Sequence, residues 1–155
     1  MPTVRLATPA DAPIVVEFNY RLAQESEGKT LDRATLSAGV AAGLADAEKA
    51  RYFVAEENGE IVGQVMLTME WSDWRNGWIW WIQSVYVRAD WRGKGVFRSL
   101  YEHVHRAAIA DRNVVGLRLY VEQANTAAQQ TYLRLGMERT GYFVLEKYPL
   151  RKAAT

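Results

Sequence analysis

The sequence predicts an α/β fold: one mixed sheet flanked by helices, in the order β-α-α-β-β-β-α-β-α-β, with residues 1–155 forming a single domain. Three observations predict it. Segments that alternate apolar and polar residues are interleaved with segments whose apolar residues recur at helical spacing. Asn58-Gly59 lies between two apolar runs and is the strongest short hairpin signal available. Trp78–Val87 is largely apolar on both faces, as a central strand buried on both sides would be, and it leads through a glycine-bearing turn into an amphipathic helix.

Taken in order, Val4-Arg5-Leu6-Ala7 alternates and reads as a short first strand. Thr8-Pro9-Ala10-Asp11 is a helix start, with Thr8 as cap, Pro9 at the first helical position and Asp11 complementing the dipole. Ile14, Val15, Phe18 and Leu22 then recur at helical spacing, and Glu25–Lys29 reads as a loop. An alanine-rich helix is predicted from about Asp32 to Leu44. Arg51–Glu57 and Glu60–Met69 form the hairpin, and Glu70–Gly77 is a polar, tryptophan-rich turn. In the next strand, Trp78–Val87, strict alternation puts Ile79, Trp81, Gln83, Val85 and Val87 on one face. Trp78, Trp80, Ile82, Ser84 and Tyr86 fall on the other. Gln83 and Ser84 are the polar breaks. After the turn, Phe97, Leu100, Tyr101, Val104 and Ala108 form one stripe. Val114–Val121 is a strand, Asn125–Leu135 a helix ended by Gly136, and Gly141–Tyr148 a final strand.

Composition narrows the chemistry. The chain is 49% hydrophobic, enough for a sizeable core, and its net charge of +1 offers no strong field for nucleic acid or an anionic membrane. No apolar run is long enough to span a bilayer and no signal peptide is apparent, so a cytoplasmic protein is expected. With no cysteine, disulfides, thiolate metal sites and a cysteine nucleophile are excluded. The two histidines, His103 and His105, stand two apart on a helix and do not share a face, so no metal centre or serine–histidine triad is expected.

The turn Trp91-Arg92-Gly93-Lys94-Gly95-Val96 carries the main functional signal. Glycines let the backbone approach an anion, and the following helix start offers unpaired N–H groups and the positive end of a dipole. Arg92 and Lys94 add charge. The pattern is neither a P-loop nor a dinucleotide-binding fingerprint. Read alone, it also fits an ordinary glycine turn capping a surface helix. Farther on, Asn125 and Tyr132 are seven residues apart, which at about 100° per residue returns them to one helix face. Read alone, Tyr132 also fits half-buried packing.

Together these features resemble the GNAT superfamily of acetyl-CoA-dependent N-acetyltransferases, over nearly the whole chain. The family's phosphate motif, Gln/Arg-x-x-Gly-x-Gly/Ala, is matched by Arg92-Gly93-Lys94-Gly95-Val96-Phe97 in its first four positions, with Phe97 standing where glycine or alanine is usual. A second signature, Asn-x-x-Ala-x-x-x-Tyr-x-x-x-Gly-Phe/Met, is matched by Asn125, Ala128, Tyr132, Gly136 and Met137. The resemblance implies a GNAT-like central sheet and acetyl-CoA as co-substrate. It implies that the backbone of Val85, Tyr86 and Val87 holds pantetheine, and that Arg92 through Arg98, with Asn125, form the rest of the cofactor site. It assigns Tyr132 the protonation of the leaving thiolate, and it allows a homodimer.

The acceptor implied is a small-molecule or peptide primary amine, attacking the thioester directly. An alkylammonium has a pKa near that of lysine, about 10.4, so it must first lose a proton. Some relatives place a carboxylate where Gln83 or Ser84 stands; the spermidine/spermine acetyltransferase-like branch has Glu-Asp there. Neither glutamine nor serine is a base at neutral pH, but either can hold a water. Glu25, Glu27, Glu70 and Glu122 are the remaining acids, each also readable as surface charge. Residues 20–29 and 70–77 would build the acceptor site, with Trp71 and Trp74 either stacking on the acceptor or packing at an edge. Two competing readings are a non-catalytic acyl-CoA-binding module and an interaction domain exposing tryptophans.

Overall fold

The computed structural model describes residues 1–154. They fall into two compact units, Met1–Tyr120 and the stretch from Val121 onward. The first unit contains β1 (Thr3–Leu6), α1 (Ala12–Glu27), α2 (Arg33–Ala45), β2 (Arg51–Glu57), β3 (Glu60–Ser72), β4 (Gly77–Val87), α3 (Val96–Ala110) and β5 (Val114–Leu119). The five strands form one sheet in chain order; the first three pairings are antiparallel and β4–β5 is parallel, so the sheet is mixed as expected. No helix among the described residues is long and apolar enough to cross a membrane.

Each face of the sheet is covered for a reason visible in the residues. On one face Val15 of α1 and Val40 of α2 pack with Tyr52 and Val54 of β2, and Met66 of β3 lies against the same cluster. On the other, Val96, Leu100 and Val104 of α3 are buried. Each contributes about 1.5–3 kcal/mol of burial before entropy is counted. Gly63 permits the close approach: a Cβ there would stand 2.8 Å from Val96 Cγ1. Asn58 and Gly59 both take positive φ, 53° and 77°, as a two-residue hairpin between β2 and β3 requires.

Several boundaries differ from the sequence reading. Residues 25–27 continue α1 instead of forming a loop; charged residues do not break a helix, and Gly28 at φ 63° ends it, with Lys29 N–H closing on Ala23 O at 3.0 Å. β3 runs on to Ser72 because Trp71 finds a cross-strand partner in Trp78, ring centres 5.1 Å apart and edge-on. The turn shrinks to residues 73–76.

The largest difference lies inside β4. Ser84 has φ 51°, and the pairing with β3 slips there: Met66 faces Gln83, but Gln64 faces Tyr86. Two β4 residues thus oppose Val65 alone, a bulge that reverses the alternation beyond it. Tyr86 therefore shares the α1 face with Trp81 and Gln83, and its ring lies 5.0 Å from that of Phe18. Strict alternation had placed it on the opposite face.

In the second unit Asn125 caps α4 (Thr126–Arg134) by accepting from Ala128 N–H at 3.1 Å, and Gly136 at φ 91° ends it. The final strand expected over Gly141–Tyr148 does not form, so the element order ends in a helix. Those residues have no ladder, and Phe143 and Leu145 are 89% and 93% exposed. Apolar alternation makes a strand only where a neighbouring backbone accepts its N–H and C=O groups.

Candidate active site

The parallel ladder between β4 and β5 runs from Trp78–Val114 to Ile82–Leu119 and stops. β4 continues for five more residues, held only by β3 on its other side. Arg88 N–H donates to Val62 O, so that pair and the like pair two residues back, Gln64–Tyr86, turn their backbone groups towards β3. By alternation, the backbone of Val85 and Val87 faces the open edge. The backbone of Tyr86, expected at the open edge, is turned towards β3.

The open edge leads directly into the glycine turn. Gly93 and Gly95 take φ 75° and 82°, where glycine is the residue without strain. Gly95 starts α3 with no side-chain cap, and no acidic residue stands in the first turn. The first intrahelical bond is Ser99 N–H to Gly95 O at 3.0 Å, which leaves the amides of Val96, Phe97 and Arg98 without an i−4 carbonyl. A Cβ at Gly93 would meet nothing within 4 Å, so the outer side of the turn is open. Lys94 Nζ stands 5.0 Å from the Trp91 ring centre, adding charge beside it.

Arg92 is placed differently from what its motif position implied. Its Nε donates to Val87 O at 3.0 Å and its Nη2 to Glu25 Oε2 at 2.9 Å, and the guanidinium lies 5.4 Å from the centre of the Tyr86 ring. It braces the turn against the end of β4 and against α1. Burial, and then the Glu25 carboxylate, push the pKa of the Tyr86 hydroxyl above the usual phenol value. Thus Glu25, Tyr86, Val87 and Arg92 are brought together. Glu27 is not part of the group and pairs with Lys29 at 3.8 Å.

Along the same face of the sheet, the Gln83 amide donates to Thr68 Oγ1. Glu70 accepts from Trp81 Nε1 and from Arg118, each at 3.2 Å, and the Trp81 ring lies tilted against that of Tyr120 with ring centres 4.6 Å apart. Glu70 and Glu25, two of the acids considered as bases, are thus each held by an arginine. Trp71 and Trp74 sit at the β3–β4 hairpin, with Trp74 85% exposed. Seven strand steps, about 23 Å, separate Trp78 from Val85, so a small acceptor cannot touch both ends of β4.

Of the remaining motif side chains, those of Val96, Phe97, Arg98 and Asn125 pack or pair locally. Val96 is 1% exposed, packed on β3. Phe97 is half-buried, its ring 6.3 Å from that of Tyr101. Arg98 pairs with Glu102 at 2.7 Å, and the Asn125 side-chain oxygen is taken by its helix cap. Tyr132 lies half-buried on α4, and its carbonyl accepts from Met137 N–H at 3.1 Å. Sequence reasoning missed Arg118, Gln64 and the Tyr86 ring. A lone glutamine within the run Ile61–Leu67 was the available signal for Gln64. No group of three or more acidic, histidine or cysteine side chains suited to a metal occurs among the described residues.

The acetyltransferase (GNAT) family model matches residues 16–137. Among solved structures, a "possible acetyltransferase" from Clostridium difficile 630 is 43% identical over 96% of this chain and 98% of its own, with a TM-score of 0.91. A ribosomal-protein-alanine N-acetyltransferase from Brucella melitensis biovar Abortus 2308 is 17% identical, covers 96% and 100% of the two chains and has a TM-score of 0.78. A "predicted acetyltransferase with acetyl-CoA" from Clostridium acetobutylicum is 19% identical over 95% and 96%, also at 0.78. The last two likenesses concern the fold alone. No curated protein matches the sequence significantly.

Proposed function

This chain belongs to the GNAT family of acetyltransferases, and from that premise we propose that residues 1–155 act as one domain transferring the acetyl group of acetyl-CoA to a primary amine. The observation that carries the reading is the continuity of two features: the β4 edge left open beyond the Ile82–Leu119 pair, and the uncapped start of α3 that follows it. A pantetheine arm carries amide groups that can pair with an open strand edge, and a pyrophosphate suits unpaired amides at a helix start. The amides of Val85 and Val87 receive the arm and the acyl carbonyl. The turn from Gly93 to Arg98 receives the phosphates, chiefly through its backbone, with Lys94 supplying charge and Arg92 holding the turn in shape.

The chemistry follows from what these residues offer. The free amine forms a bond to the acyl carbon, and the carbonyl oxygen takes up charge. An N–H at Val85, already fixed by the strand, stabilises that charge without reorganising. The carbon–sulfur bond breaks, and the thiolate gains a proton from Tyr132, the donor its motif assigns; the phenolate left behind regains a proton from water. The amine's own excess proton leaves to water, since Gln83 and Ser84 are not bases and Glu25 and Glu70 are held by arginines. The pairing of Glu25 and Glu70 with arginines supports the second reading, an acyl-CoA-binding module without turnover. A panel of polyamines, amino acids, aminoglycosides and peptides, assayed for thiol release from acetyl-CoA, separates the two. Amine-dependent release supports transfer; tight binding without release under any amine supports the module.

A further inference from the structure

We propose that Gln64 is a positioning residue of the acyl-CoA site: its buried carboxamide holds Ser84 in the left-handed conformation that opens β4. The inference rests on the reading of β4 given above. Gln64 is fully buried in a central strand, where a methionine or leucine would fill the space without the cost of desolvating an amide. Its Nε2 donates to Ser84 O at 3.1 Å. Ser84 is the only residue of β4 with positive φ, a conformation that side chains with a Cβ rarely adopt. The bulge removes Ser84 from regular pairing with β3, and its half-buried carbonyl must find a donor elsewhere. Gln64 supplies it.

The orientation of the carboxamide is fixed by this one bond. Its Oε1 is buried and has no partner among the described residues. A flip would set Oε1 against the Ser84 carbonyl, oxygen to oxygen. Without the donor, Ser84 gains by relaxing to an extended conformation, and a one-residue slip then turns every later β4 side chain to the other face. The Tyr86 ring would leave Phe18 and Arg92, and the Val85 and Val87 amides would turn away from the open edge.

The test uses the full chain in four forms: unaltered, Gln64→Met, Ser84→Gly, and both together. Two quantities are measured: contacts between the Phe18 and Tyr86 rings by NMR without ligand, and acetyl-CoA binding by calorimetry. Gln64→Met should lose the ring contacts and weaken binding by about tenfold, the scale of one hydrogen bond. Ser84→Gly alone should change little, because glycine takes positive φ without strain, and added to Gln64→Met it should restore both readouts. A packing role for Gln64 predicts no rescue. Should Gln64→Met fail to fold, Ser84→Val attacks the same turn with Gln64 intact and should lose the same contacts. Gln64→Met with unchanged ring contacts and affinity, or a loss that Ser84→Gly does not reverse, overturns the proposal. An unaltered chain that binds no acetyl-CoA overturns the site itself, and the ring contacts still report whether Gln64 holds Ser84.

Discussion

Replacing Arg92 distinguishes a brace from a phosphate ligand. The Arg92–Glu25 pair is half-exposed at both ends, 50% and 44%, so its worth is about 0.2–1 kcal/mol. The bond to Val87 O has a charged donor and adds about 1 kcal/mol or somewhat more. Arg92→Gln should therefore lower stability by about 1–2 kcal/mol in denaturant titrations. It should weaken acetyl-CoA binding by about tenfold, because the turn loses its fixed shape while keeping its amides. Glu25→Gln should shift both quantities in the same direction but by less. The double variant should fall short of the sum, since both changes remove one ion pair. A direct phosphate ligand would behave otherwise: Arg92→Gln would leave stability unchanged and cost far more than tenfold in affinity, and Glu25→Gln would leave binding unchanged or tighten it. That outcome would refute the brace.

Tyr132→Phe should lower kcat by roughly 10²–10⁴-fold with little change in KM for acetyl-CoA, as loss of a general acid does; steady-state kinetics with thiol detection would show it, and full activity would remove Tyr132 from the mechanism. The kcat/KM of the unaltered enzyme should rise with pH towards the pKa of the acceptor amine. A limb centred well below it and abolished by Glu70→Gln would reveal a carboxylate base. Asp11 tests the acid side of stability. Hydrogen bonds from Arg5 at 2.9 and 3.0 Å hold its carboxyl below the usual range. The stabilisation is therefore fully present above the unfolded value, about 3.9, and is lost as pH falls through the lower folded value. Asp11→Asn should cost about 1–3 kcal/mol at pH 7 and flatten the loss of stability on acidification, measured by thermal melts.

The legible parts of this fold were those written in short-range chemistry. Asn58-Gly59 dictated the hairpin, and the stripe of α3 came out as read, apart from Phe97, which is half-buried. Asn125 and Gly136 bound α4 as expected. What escaped was set by partners distant in sequence. A one-residue bulge at Ser84 leaves no mark on composition, yet it moves Tyr86 to the other face and shapes the open edge. Trp71 extends β3 because Trp78 faces it, and residues 141–148 form no strand because no ladder receives them. The glycine turn and the helix start behind it were legible, but the placement of Arg92 was not: a motif specifies residue type, and only the placement of Val87 O and Glu25 turns that guanidinium inward.

The central claim is that the open edge of β4 and the turn ahead of α3 bind acetyl-CoA, and calorimetry on the unaltered chain beside Gly95→Asp tests it most directly. Gly95 starts α3 at φ 82° with no side-chain cap. An aspartate there would bring a carboxylate among the phosphates and a strained backbone to the turn. The unaltered chain should bind acetyl-CoA, and its melting temperature should rise with the logarithm of ligand concentration above Kd. Gly95→Asp should keep its far-ultraviolet spectrum and lose both effects. Binding that survives Gly95→Asp unchanged, or an unaltered chain that takes up no acetyl-CoA at all, would contradict the account.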